Sequence, residues 1–370
     1  MYRKTEKLVD RLQKLVNQLT NKHPEFNQLP AWIREIPEND YFFFIWQPLI
    51  DQLGHILLNN TLVAINTGRT DLPQIQQLTQ TLLQDLFKKY TCHQYGKERS
   101  YIGEADKTRR ICRYCGKSEP ATIFKNTAHA IPEALNNKHI VCREECDSCN
   151  EWLGNNVEQH LINYLAFWRT LYQIPGKEGQ KKYTGKDFEM DPAGKIHVRV
   201  DSPLDDPAPT FPITFSLTAV DKFSPQNIYK AFCKMVVCVL PKQYLSRCQP
   251  AIDWIMGRRE ITQLPPVWHK QVKRSALQSP ELLVYVKKEK DRALPGIIGE
   301  FSYAQLKFVF ILPLCETDEM AFLSPDEFEI FWKTFKHLGK MENWQHQDFS
   351  SVEKKTIGFM LTIEDPNRVL

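Results

Sequence analysis

Two close-paired cysteine motifs restrict this chain more than any other feature. One is Cys112-Arg113-Tyr114-Cys115-Gly116, and the other is Cys146-Asp147-Ser148-Cys149-Asn150. Within each pair, one turn of backbone lets both thiolates reach a single ion, and two pairs complete the tetrahedral set of Zn²⁺. Gly116 suits the tight turn after the first pair. Four protein thiolates leave no open position, so the expected zinc is structural rather than catalytic. The gap of 30 residues between the pairs exceeds the spacing of about 12 to 20 common in such sites, so an insert must fold between them. A redox dithiol would need one pair and a βαβ context, which the surrounding sequence lacks. Cys142 reads as a non-ligand. Cys233, Cys238, Cys248 and Cys315 have no paired spacing and read as small buried side chains.

Composition sets the wider frame. The chain has 370 residues, which suggests two or three domains at about 150 residues each. Lys and Arg number 48, Asp and Glu 44, and hydrophobic residues make up 42%. These values exclude a disordered or collagen-like chain. The apolar runs Tyr41 to Trp46 and Phe308 to Leu314 fall far short of the roughly 18 to 20 residues that cross a bilayer. Met1 to Thr20 is charged throughout, so no secretory signal is read there, and the expected location is cytoplasmic. Cysteines kept reduced in that compartment favour metal over disulfides.

The expected fold class is α+β, in three segments. Residues 1–95 read as helical, because Leu8, Leu12, Leu15 and Leu19 recur at helical spacing. Leu49, Leu53, Ile56 and Leu57 do so after Pro48, and Ile75, Leu78, Leu82 and Leu86 after Pro73, with Asp71 as the expected cap. The leucine stripe offers a possible seam for self-association, but it is too short for a sustained coiled coil. His23 and His55 read as structural or solvated. Residues 96–175 hold the cysteine pairs and end in an amphipathic helix from Val157 to Tyr172. Residues 176–187 (PGKEGQKKYTGK begins one residue earlier) read as a polar linker. Residues 188–370 read as an α+β domain of unknown role. Its expected strands are Lys195 to Val200, Pro212 to Val220, Leu282 to Lys287, Lys307 to Leu312 and Ile357 to Ile363. Ile228 to Leu240 reads as a buried helix that belongs to the core.

The insert between the cysteine pairs contains Thr127-Ala128-His129-Ala130-Ile131-Pro132-Glu133, and the second pair runs straight into Asn150. Glu158 follows eight residues later. The surrounding chain reads as two short strands and a helix. In this order, CRYCG, AHAIPEALNN, CDSCN and the acid of VEQHL resemble the HNH endonuclease family, in the branch whose ββα-metal site is stapled by a four-cysteine zinc. The resemblance covers roughly residues 109 to 165. It implies that His129 is the general base, a role suited to an imidazole titrating near neutrality. It implies that Asn150 braces the strands or touches a metal, and that Glu158 is a ligand of a catalytic Mg²⁺ or Mn²⁺. Many relatives carry an acidic residue or a second histidine just before the catalytic histidine. This chain has Ala128 there, which thins the donor set to Glu158, Asn150 and water.

Charge points the same way. From Gly96 to His139 there are nine basic and five acidic residues, so this stretch carries the whole net charge of +4. Such a patch suits a phosphate backbone. Arg109, Arg110, Arg113, Lys117 and Lys125 are the expected DNA contacts. Lys177, Lys181, Lys182 and Lys186 read as a solvated hinge. The leading expectation is a metal-dependent HNH endonuclease hydrolysing phosphodiester bonds in DNA, with bacterial or phage defence as its setting by analogy. The alternative is a non-catalytic zinc module that binds nucleic acid or a protein partner.

Overall fold

Among the described residues the first segment holds four helices, three of them where apolar residues recur at helical spacing. In this computed structural model the described residues are 1–19, 26, 29–43, 50–96, 98–199, 212–288 and 291–363. His23, Pro48, Leu49 and Lys97 lie outside them. The chain divides into two compact units, residues 1–89 with 334–337, and residues 90–333 with 338–370. In the first unit, β1 (Tyr2–Arg3) pairs antiparallel with β2 (Tyr41–Phe42) beside α1 (Glu6–Leu19), α2 (Leu29–Glu35), α3 (Gln52–Thr67) and α4 (Leu72–Lys89). Asp51 caps α3 by accepting from the Gly54 N–H at 2.7 Å. Asp71 caps α4 only through its backbone carbonyl, which accepts from Ile75 N–H at 3.1 Å. Its carboxylate instead takes both branches of the Arg69 guanidinium, at 3.0 and 2.7 Å, because a forked cation offers two charge-assisted bonds.

The second unit continues with β3 (Tyr90–Tyr95), β4 (Ser100–Ile102), β5 (Ala128–His129), β6 (Ile140–Cys142), α5 (Asp147–Leu153) and α6 (Gln159–Leu171). Then come β7 (Tyr183–Thr184), β8 (Phe188–Met190), β9 (Ile196–Val198), β10 (Ile213–Thr218), α7 (Pro225–Val239), α8 (Lys242–Leu245) and α9 (Gln249–Ile255). The last elements are β11 (Val267–Gln271), β12 (Leu277–Lys287), β13 (Ile297–Ala304), β14 (Leu306–Ile311), α10 (Pro325–Thr334), β15 (Gln345–Gln347) and β16 (Gly358–Ile363). The protein is therefore α+β. An antiparallel sheet runs β15-β11-β14-β13-β12-β3. Strand β3 is thus its edge and belongs with the later strands rather than with the preceding helices.

Residues 176–187 are more ordered than a hinge. Gly176 and Gly179 pair across a turn, and Tyr183 and Thr184 form β7 against β8. The Phe167, Tyr183, Phe188 and Phe359 rings pack together there, which ties this stretch to α6 and β16.

Helix α7 is the centre of the unit, and nearly all its side chains are buried. One face meets the sheet. Phe232 lies 5.0, 5.3 and 5.8 Å from the rings of Phe310, Phe308 and Phe301. Gly299 makes room for this, since a Cβ there would fall 2.2 Å from the Phe310 ring. The other face meets the cysteine-bearing segment, where the Tyr114 hydroxyl donates to Lys234 O at 3.2 Å. Truncating Phe232 removes ring contacts to three strand residues in a close-packed interior. Phe232→Ala is therefore expected to lower stability by about 3–5 kcal/mol, measured as a lower urea midpoint with an unchanged slope.

Candidate active site

The two cysteine pairs converge. The Sγ atoms of Cys112, Cys115, Cys146 and Cys149 all lie within 4.8 Å of one another. Cys115 and Cys146 are 3.8 Å apart. A tetrahedron with Zn–S bonds of about 2.3 Å has an edge of about 3.8 Å, so the donor set fits zinc. Local backbone explains the first pair. Gly116 adopts φ +70°, and its N–H returns to Cys112 O at 2.9 Å. In the second pair, Cys146 precedes α5 and Cys149 lies in its first turn. A hydrogen bond from Cys149 draws the Cys112 thiol down to about 5, as expected where thiols share a proton. Cys142 stands outside this set and gathers instead with Glu145 and Cys238 in a fully buried cluster. Cys233, Cys238, Cys248 and Cys315 are all buried.

Strand β5 pairs antiparallel with β6, placing Ala128 against Cys142 and His129 against Val141. Strand β4 adds to β6 in parallel. Helix α5 runs on through a π-helical turn, Gly154–Glu158, into α6. Such a turn carries an extra residue per hydrogen-bonded ring and recurs at functional sites. Glu158 is its last residue.

The His129 side chain is 19% exposed, and its Nε2 lies 4.0 Å from Glu133 Oε2. Its Nδ1 is buried and lacks a hydrogen-bond partner among the described residues. Burial lowers its pKa below the usual imidazole value, so the ring is neutral at pH 7 and able to accept a proton. The Glu158 side chain is 13% exposed, and its Oε1 lies 2.7 Å from Lys234 Nζ. Lys234 comes from α7 and is fully enclosed. The same ammonium donates to His129 O at 2.8 Å and lies 3.2 Å from Glu145 Oε2. Cys238 Sγ donates to that Glu145 oxygen, also at 3.2 Å. Burial opposes the ammonium, yet the Cys238, Glu145 and Glu158 groups around it outweigh this and hold its pKa well above the usual lysine value.

The structure thus brings the main-chain carbonyl of His129 and the carboxylate of Glu158 onto one ammonium. Asn150 lies half-buried on α5, and among the described residues its side chain makes no hydrogen bond to either. For a divalent ion, Glu158 is a hard oxygen donor near the surface. Ala128 adds nothing, Glu145 is sealed inside, and no group of three histidine, thiol or carboxylate donors gathers at His129 among the described residues.

Two expected DNA contacts are corrected. Arg113 is buried, with its guanidinium 3.0 Å from Glu144. It also donates to Val237 O at 2.9 Å and Leu240 O at 2.6 Å. It therefore satisfies carbonyls left open at the C-terminal end of α7. Arg110 is buried too and donates to Glu104 O and Ala105 O, both at 2.9 Å. Burial and these internal bonds turn both guanidiniums away from solvent. Arg109, Lys117 and Lys125 are exposed. Lys177, which read as part of a hinge, approaches Glu133 at 3.9 Å and so stands near His129. Sequence reasoning missed Lys234, Glu145 and the place of Glu133 beside the histidine. The available signal was a lysine inside the apolar run IYKAFCKMVVCVL, since a buried charge requires partners.

Two strands and a helix around four converging thiols, with a histidine on the first strand and a carboxylate beyond the helix, define a zinc-stapled ββα module. Residues 112–166 match the family model of the HNH endonuclease, and that match implies a nuclease that binds nucleic acid. No curated protein and no solved structure matches the chain. Among the described residues, no helix is long and apolar enough to cross a membrane. Purified protein is expected to contain one zinc per chain by elemental analysis, and Cys146→Ser to lose both the zinc and cooperative unfolding.

Proposed function

We propose that this chain is an endonuclease that hydrolyses phosphodiester bonds in DNA. The observation that carries this reading is one ammonium holding both the main-chain carbonyl of His129 and the Glu158 carboxylate, within a segment that matches the HNH endonuclease family. His129, neutral at pH 7, takes a proton from water as the water oxygen attacks phosphorus and the bond to the 3′-oxygen breaks. Glu158, with Asn150, would hold Mg²⁺ or Mn²⁺, and the ion would supply positive charge for the leaving oxygen. Glu133 orients the imidazole from the Nε2 side. Exposed Arg109, Lys117 and Lys125 meet the phosphate backbone without reading bases. Defence against foreign DNA is the setting we favour.

One observation favours a second reading. Ala128 supplies no donor, and Lys234 already holds Glu158. This suits a zinc module that binds nucleic acid or a protein partner without cutting.

Plasmid and linear DNA incubated with Mg²⁺, Mn²⁺ or chelator separate the two. Metal-dependent cleavage is expected, reduced about 100-fold or more in zinc-replete His129→Ala, in keeping with the contribution of a general base. The acid limb of the rate profile is expected below pH 6.5, because burial lowers the His129 pKa. DNA binding without cleavage under every metal condition supports the second reading instead.

A further inference from the structure

The distinctive group at this centre is the Lys234 ammonium. It has three N–H donors, and three acceptors surround it, Glu158 Oε1 at 2.7 Å, His129 O at 2.8 Å and Glu145 Oε2 at 3.2 Å. They come from the π-helical turn, from strand β5 and from the loop before α5. The Lys234 side chain has no exposed surface, so it touches neither solvent nor substrate. It acts through the groups it holds.

We infer that Lys234 is the resident cation of this centre, a positioning residue that joins the histidine strand to Glu158 and weakens the hold of Glu158 on a divalent ion. This rests on the proposed role of Glu158 as the ion's carboxylate. Three observations on the donor set carry it. Glu158 shares its charge with an ammonium at contact distance. Glu145 is fully buried and turned to the same ammonium, so it cannot serve as a second carboxylate at the surface. Position 128 is alanine. An incoming divalent ion therefore meets one carboxylate already paired with an ammonium 2.7 Å away. Like charges at such separations repel strongly where little water screens them. The free protein then holds the ion weakly, and the phosphate of bound DNA makes up the missing negative charge. By linkage, ion and DNA each strengthen the binding of the other.

The test reads Mn²⁺ binding to zinc-replete protein without DNA, by the loss of the free-ion electron spin resonance signal. Lys234→Met alone leaves Glu145 buried without a counter-charge and risks misfolding. The variant compared is therefore Lys234→Met with Glu145→Gln, set against Glu145→Gln alone, with circular dichroism and zinc content checked for both. Removing the ammonium is expected to tighten Mn²⁺ binding by about tenfold or more, and adding Glu158→Gln is expected to abolish that gain. Turnover of DNA at saturating Mn²⁺ should fall in the Lys234 variant, because strand and carboxylate lose their shared anchor. Unchanged Mn²⁺ affinity in the folded variant overturns the inference, as does a gain that persists without Glu158. Binding is read without DNA, so failure of the wild type to cleave would count against the nuclease reading and leave this result standing.

Discussion

An ammonium with no exposed surface must satisfy every N–H inside the protein, or the cost of removing it from water is unopposed. Lys234 meets this with a hydrogen bond to a strand carbonyl and ion-pair contacts with two carboxylates. That requirement dictates much of the surrounding arrangement. Strand β5, the loop holding Glu145 and the π-helical turn must each stay within hydrogen-bond reach of one atom. The atom sits on α7, which is itself pinned to the sheet by the rings around Phe232. A displacement of α7 would unseat all three at once.

The module answers in kind. Arg113, beside the first zinc-binding cysteine, reaches the last carbonyls of α7, with Glu144 at its other branch. Tyr95 donates to Val239 O at 2.9 Å from the edge strand. Buried residues form one apolar cluster from the cysteines through Leu153, Val157 and Leu161 to α7 and the sheet. The zinc set and this core do different work. Four thiols draw together chain segments separated by the insert, a task suited to a metal because a short segment buries little apolar surface alone. The core then orients the stapled unit, and buried ion pairs set its register against α7.

How much of this was legible depended on how far apart the partners lie. The cysteine pairs were readable because each pair is local and two such pairs together supply the four thiolates that zinc takes. The strands at Ile213–Thr218 and Gly358–Ile363 alternate in burial and were readable from period two. Strand β13 is buried on both faces, so Ile297–Ala304 gave no alternation to find. Arg110 and Arg113 looked like part of a basic patch because a row of cations in sequence carries no mark of burial. Apart from Glu144, their partners are main-chain carbonyls of Glu104, Ala105, Val237 and Leu240, which have no side-chain signature. Helix α7 reads as core, and its run holds two lysines, Lys230 and Lys234, whose different burial no local pattern marks.

The sequence by itself determined the zinc-binding residues, the order of histidine and carboxylate around them, and the mixed fold class, since each follows from local spacing or periodicity. Tertiary structure alone decided which charges are spent inside the protein. Lys234 and His129 stand 105 residues apart, and nothing in either neighbourhood announces the other. The physical reason is that a charge acquires its role from the dielectric and the partners around it, and those are supplied by chain that arrives only on folding.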